Sequence, residues 1–245
     1  MTVSVVVPAR NEAETIGATI ERIEADQVIV VDASSDGTAE LAARAGAEVH
    51  PQQDLLPQFG PVLGKGDAMW RTLSVVRGDV VVYLDADSEN FGEHFVTRLV
   101  EPLEGHGIEF VKAHYRRPFK VGSEQLPEGG GRVTELTAKP LLKAFFPELA
   151  DIHQPLAGEV AARRSLLERI PFATGYAVEM AMLIDVWREV GRSAIAQADL
   201  DVRQNRHQPL AELRPMAETV LGVVLGKQGL GGHSDLVERP PMAAV

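Results

Sequence analysis

Three runs of β-forming residues, "VSVVVPA" (3–9), "QVIVV" (27–31) and "DVVVYL" (79–84), limit what this chain can fold into. They do not alternate apolar with polar residues. Each is therefore read as a strand covered on both faces, as in a parallel sheet between helical layers. Between them lie helical patterns. Ala13, Ile16, Ile20 and Ile23 recur at helical spacing, with Asn11 as the expected cap and Glu14 three residues on. "TAELAARAG" reads as a helix closed by Gly46, "AEVH" as a short third strand, and "DAMWRTLSVVRG" as a helix ended at Gly78. This β-α-β-α-β order predicts an α/β fold with right-handed crossovers.

Beyond residue 109 the pattern loosens. "EFVKAHYRRP" reads as a strand, "EVAARRSLLERI" and "YAVEMAMLIDVWREVG" as helices, and "AIAQADLDVR" as a late strand. "GGGRVTELTAKPLLKAFFP" reads as a glycine-rich loop feeding a helix kinked at Pro140. "LAELRPMAETVLGVVLGK" reads as a last helix with a break at Pro215. The expected organisation is one domain over residues 1–225, with a first half at 1–109 and a mainly helical half at 110–225. A mobile tail is expected over 226–245.

A formal charge of −11 argues against non-specific nucleic-acid binding, which needs a positive field. With no cysteine the chain forms neither disulfides nor thiolate metal sites, which suits a cytoplasmic protein. "MTVSVVVPA" lacks the basic start of a secretory signal. No stretch approaches the roughly 18 apolar residues of a membrane span, so no membrane partner is expected. H-E-x-x-H, the nucleophile elbow and G-x-G-x-x-G after a strand are all missing, which leaves proteolysis, ester hydrolysis and NAD chemistry without support.

In an open α/β sheet, ligands bind outside the carboxyl ends of the strands. Three loops fall there: Pro8, Arg10, Asn11 and Glu12 after the first strand, Asp32 and Ser34 after the second, and Asp85, Ala86 and Asp87 after "DVVVYL". Asp85 and Asp87 lie on one side of an extended segment. That spacing suits Mg²⁺ or a similar hard cation shared with a substrate diphosphate, or equally a solvated acidic turn. Lys65, between two glycines, can approach a phosphate or a sugar, although "GKG" is no P-loop. In "GGGRVTE" (129–135), open backbone N–H groups, Arg132 and Thr134 favour an anion over a plain capping turn. Glu179 lies in a mainly apolar helix and needs a partner or a ligand. In "VRQNRHQPL", Arg203 and Arg206 could hold an acceptor phosphate, and Asn205 or His207 a metal; an exposed basic loop is the other reading.

"VSVVVPARNEAETI", "VVDASSDGT" and "VVVYLDADSENF" resemble the nucleotide-sugar half of GT-A glycosyltransferases. "GKGDAMWRTL", "GGGRVTELTAKPLL", "QPLAGEVAARR" and "PFATGYAVEMAMLID" more narrowly resemble the glucosyl-3-phosphoglycerate synthases, retaining enzymes grouped with certain mannosyl-3-phosphoglycerate synthases. The resemblance covers about residues 2–225. It implies a Rossmann-like GT-A fold, a nucleoside diphosphate sugar donor with UDP-glucose favoured, 3-phosphoglycerate as acceptor, Mg²⁺ or Mn²⁺, and a homodimer. It places Pro8, Asn11, Glu12, Ser34 and Lys65 around the nucleotide and its diphosphate, with Asp85 near the ribose and Asp87 on the metal. Gly131, Arg132 and Thr134 then hold the acceptor phosphate. Tyr176 and Glu179 contact acceptor and sugar, and Leu156 offers a backbone carbonyl near the reacting centre. The family's Arg-x-His-x-Asn corresponds to Arg203-Gln204-Asn205-Arg206-His207, so either Asn205 or His207 completes the metal shell.

Overall fold

The structure, a computed structural model, describes residues 1–87, 91–121, 124–126, 130–203, 209–230 and 236–245. The strands are β1 (Val3–Ala9), β2 (Gln27–Asp32), β3 (Glu48–Pro51), β4 (Val80–Tyr83), β5 (Phe110–Arg116), β6 (Phe119–Val121), β7 (Glu124–Leu126), β8 (Val160–Arg163), β9 (Phe172–Ala173), β10 (Ile195–Val202) and β11 (Glu238–Arg239). The helices are α1 (Ile16–Ile20), α2 (Thr38–Arg44), α3 (Lys65–Thr72), α4 (His94–Val100), α5 (Lys139–Phe145), α6 (Arg164–Arg169), α7 (Val178–Val190) and α8 (Leu210–Lys227).

Seven strands form one sheet in the order β10-β5-β8-β4-β1-β2-β3. Every pairing is parallel except those of β8, which runs antiparallel to β4 and β5. The unbroken valine runs are explained by burial on both faces. Val5 and Val7 pack into one core layer and Val6 into the other, and all are fully buried. Because β8 is reversed, its N-terminal end meets the C-terminal ends of β1, β2, β4, β5 and β10 at one edge. Six chain segments therefore deliver residues to the same place.

Several expectations are corrected. Asn11 caps no helix: it has a positive φ of 58°, and α1 starts only at Ile16. "EVAARRSLLERI" splits into β8 and α6, because Val160–Ala162 are enclosed between two strands. Among the described residues the second half supplies four helices and three strands of the main sheet, two of them where "EFVKAHYRRP" and "AIAQADLDVR" read as strands. The kink expected at Pro140 is a π-helical stretch, Thr134–Ala138, just before α5. Proline leaves the carbonyl four residues back without a donor, and a widened turn accommodates the loss. α8 runs unbroken through Pro215 near its exposed start, where water can solvate the one freed carbonyl.

The mobile tail expected over 226–245 is also corrected for its described residues, 226–230 and 236–245. α8 reaches Lys227, and β11 pairs antiparallel with β9. Arg239 donates to both oxygens of buried Asp67 at 2.8 and 2.7 Å, and Trp70 Nε1 donates to Pro240 O at 2.8 Å. Lys227 Nζ joins this strap to α7, bonding Glu238 and Asp185 at 2.6 Å each. Burial pushes the Asp185 carboxyl up to about 6, against the pull of Lys227. A folded-state pKa above the unfolded 3.8 makes stability fall as pH rises between these values, by up to about 3 kcal/mol. Asp185→Asn is expected to remove that slope, as read from urea midpoints at pH 4 to 7. Equal slopes in the two proteins would contradict it. Among the described residues, no helix is long and apolar enough to cross a membrane.

Candidate active site

Asp85 and Asp87 follow β4 at the common edge, and Lys65 opens α3 opposite them. Two left-handed glycines let the second wall approach. Gly64 (φ 85°) and Gly175 (φ 65°) are so close that a Cβ on Gly64 would lie 3.0 Å from Gly175 Cα. A Cβ on Gly66 would lie 1.9 Å from Ala173 O. These contacts bring α3 against the start of α7, and Lys65 Nζ bonds Asp85 at 2.5 Å and Glu179 at 2.7 Å. The partner that Glu179 required is therefore Lys65. Burial alone would lower the Lys65 pKa, but Asp85 and Glu179 outweigh it and hold the ammonium well above the usual lysine range. Burial would likewise raise Asp85, yet Lys65 and Arg203 hold it well below the usual carboxylate range.

Arg203, just past β10, is buried at 2% exposure, not part of an exposed basic loop. Its Nη2 reaches Asp87 at 2.8 Å and Asp85 at 3.2 Å. Its Nη1 pairs with Glu159 and lies 3.1 Å from Tyr115 Oη. Asn205 and His207, the alternatives for completing a metal shell, lie outside the described residues, as does Arg206.

Two cavities flank the acids. One, of about 560 Å³, is lined by Pro8, Arg10, Glu12 and Ala86 from the strand-end loops, and by Gln52 and Val62 across from them. Asn11 and Ser34 do not line it; they tie its two loops together. Asn11 N donates to Ser34 Oγ at 2.8 Å, and Ser35 N donates to Asn11 Oδ1 at 3.0 Å. Asp32 lies between Val31 and Ala33, which do line it, and its buried Oδ1 has no partner among the described residues.

The other cavity, of about 300 Å³, contains Gly131, Arg132, Thr134, Leu156, Glu179 and Arg203. Gly131 has a φ of 70°, and Gly130 N donates to Arg117 O at 3.1 Å, which sets the glycine turn against Arg117. The cavities share Lys65, Asp85, Asp87 and Tyr176. Sequence reasoning missed Tyr115 and Arg117, which lie two residues apart at the end of β5 and so share one side of it. It also missed Lys112, a buried lysine that donates to Ala157 O at 2.7 Å, and the apolar wall of Leu213, Met216 and Val220. The signal available was position: "HYRR" ends a strand as the other site loops do.

Among the described residues, no group of three or more His, Asp or Glu is arranged to hold a metal. Asp87, half exposed beside Asp85, still fits a hard divalent cation, because Mg²⁺-type ions use one or two carboxylates and take further oxygens from a diphosphate and water.

A mostly parallel sheet with a cleft at its carboxyl edge, an Asp-x-Asp between two cavities and an arginine- and glycine-lined second cavity defines a GT-A glycosyltransferase. Residues 4–170 match the profile described as Glycosyl transferase family 2. The chain belongs, within that class, to the glucosyl-3-phosphoglycerate synthase family. It is 46% identical to the glucosyl-3-phosphoglycerate synthase of Mycolicibacterium paratuberculosis, over 100% of this chain and 84% of that one. A solved structure of the Mycobacterium tuberculosis enzyme with Mn²⁺, UDP-glucose and phosphoglyceric acid is 42% identical, with a TM-score of 0.90 over 99% of this chain and 90% of that one. A solved mannosyl-3-phosphoglycerate synthase from Rubrobacter xylanophilus is 45% identical, with a TM-score of 0.91 over 100% of this chain and 88% of that one.

Proposed function

We propose that this chain moves glucose from UDP-glucose to the 2-hydroxyl of 3-phosphoglycerate with retention at the anomeric carbon, giving glucosyl-3-phosphoglycerate, and that it does so in the cytoplasm. The observation that carries this reading is the seam: two cavities of different character share Lys65, Asp85, Asp87 and Tyr176. A donor in the first and an acceptor in the second would meet there, already oriented. Asp32, between Val31 and Ala33 of the donor-cavity wall, is assigned to the nucleotide side. Asp85 faces the ribose side, and Arg132 with Gly131 and Thr134 receives the acceptor phosphate.

Asp87, completed by Asn205 or His207, would hold Mg²⁺ or Mn²⁺, which supplies neutralisation of the departing diphosphate. Lys65 adds a fixed positive charge on the same side. Asp85 and Glu179 are ion-paired through Lys65, Asp87 bonds Arg203, and Glu159 is buried behind Arg203. None is a free carboxylate facing the sugar as a covalent nucleophile. The reading therefore takes a front-face route, in which the leaving phosphate oxygen accepts the proton of the acceptor hydroxyl. Glu179 and the Leu156 carbonyl steady the sugar at the seam.

The likeness to the Rubrobacter enzyme favours a second reading, GDP-mannose as donor. A donor panel with 3-phosphoglycerate separates the two. UDP-glucose is expected to exceed GDP-mannose in kcat/KM by about tenfold or more, with UDP release requiring both acceptor and divalent metal. Faster turnover of GDP-mannose would replace the glucosyl reading by the mannosyl one.

A further inference from the structure

The site contains a charged residue with two competing sets of partners. Arg203 points one nitrogen forward, onto Asp87 at 2.8 Å and Asp85 at 3.2 Å. It points the other backward, onto Glu159 and the Tyr115 hydroxyl. The rear partners are more deeply buried than the front ones. Glu159 is 1% exposed and Tyr115 4%, whereas the Asp87 side chain is 54% exposed. Glu159 has no unused oxygen, because Tyr115 Oη donates to its second oxygen at 3.1 Å. The tyrosine oxygen is itself braced by Arg117 Nη2 at 2.9 Å. The backbone around Glu159 is pinned as well. Its carbonyl accepts from Ala113 N at 3.0 Å, and a Cβ on the preceding Gly158 would lie 2.3 Å from Asp85 Oδ2.

From this geometry we infer that Glu159 and Tyr115 are positioning residues. They hold Arg203 from behind and thereby set how strongly it competes with a divalent cation for Asp87. The inference rests on the metal-dependent reading above. Arg203 is a built-in cation on Asp87, the carboxylate that a metal would need. Held from both sides, it is shared and its charge is partly cancelled at the rear. If the rear carboxylate loses its charge, the guanidinium rests on the front pair alone and the cost of separating it from Asp87 rises. Glu159 makes no contact with either substrate cavity, so its influence passes through Arg203.

The test is Mn²⁺ binding to the full chain in the presence of UDP, followed by electron paramagnetic resonance, with wild type, Glu159→Gln, Arg203→Met and the double variant. Glu159→Gln is expected to weaken Mn²⁺ binding by about three- to tenfold. In the Arg203→Met background the same change is expected to alter affinity by less than about twofold, since the residue it acts through is gone. Tyr115→Phe, which removes only the rear hydroxyl, is expected to weaken binding in the same direction and replaces Glu159→Gln if that variant does not fold. Unchanged Mn²⁺ affinity in folded Glu159→Gln overturns the inference. So does equal weakening with and without Arg203, which would make Glu159 a distant charge and no more. Wild-type protein that binds no Mn²⁺ overturns the metal-dependent reading itself, a result distinct from the other two.

Discussion

Asp87→Ala is expected to lower kcat/KM for glucosyl transfer by about a thousandfold or more while leaving the fold in place. Losing a diphosphate-neutralising cation removes several kcal/mol of transition-state stabilisation, and about 4 kcal/mol corresponds to that factor. Stability is expected to change little. The Asp87 side chain is 54% exposed, and Arg203 keeps Glu159 and Asp85 when it is removed. Pairs this exposed contribute about 1 kcal/mol or less, so the melting temperature is expected to fall by only about 2–4 °C. Mn²⁺ binding in the presence of UDP is expected to disappear together with activity. Normal turnover by Asp87→Ala would remove the central element of the mechanism.

The elements legible in the sequence were those whose signal is local. A strand buried on both faces leaves a run of valines, and β1, β2 and β4 were read from such runs. Their carboxyl ends then located the site loops without further information, since an open α/β sheet gathers its ligands there. β8 was not legible. Val160–Arg163 is four residues long and continues directly into α6, so its apolar residues look like part of one helix. Its identity as a strand comes from β4 and β5, which lie far away in the chain. The same holds for Asn11. Its side chain suits a helix cap, but the loop after β2 offers Ser34 and Ser35, and these bonds, with a positive φ, replace capping. Residues 226–245 read as mobile because chain termini usually are. What fixes the strap at 236–245 is Asp67, a fully buried carboxylate that bonds Arg71 one turn away in α3 and Arg239 near the C-terminal end of the sequence. Buried polar residues such as Tyr115, Lys112 and Glu159 lie in stretches that resemble the family, but the stretches do not say what each side chain does. Their meaning appears only when the partners satisfying them are known.

Lys65→Met tests whether the seam works by charge. The ammonium lies 2.5 Å from Asp85 and 2.7 Å from Glu179, with all three side chains less than a quarter exposed. Methionine keeps the length and removes the charge. The predicted loss in kcat/KM is about a hundred- to a thousandfold, comparable to removing one preorganised donor to a developing negative charge. The stability cost is expected to be about 1–3 kcal/mol, below that of a fully buried broken pair, because Arg203 still serves Asp85. The pH dependence separates this account from simple loss of packing. In the wild type, Asp85 is held below its unfolded pKa, so its contribution is present above that value and is lost in acid. Without Lys65, burial of Asp85 is opposed by one fewer cation, and its carboxyl is expected to shift upward, past its unfolded value. Its folded pKa then exceeds the unfolded one, so the variant loses stability as pH rises through that range in addition to the Asp185 slope that both proteins share. The stability gap between the two proteins should therefore widen from pH 5 to pH 8, as measured by urea unfolding. A gap independent of pH would assign Lys65 a packing role and leave the charge account without its principal residue.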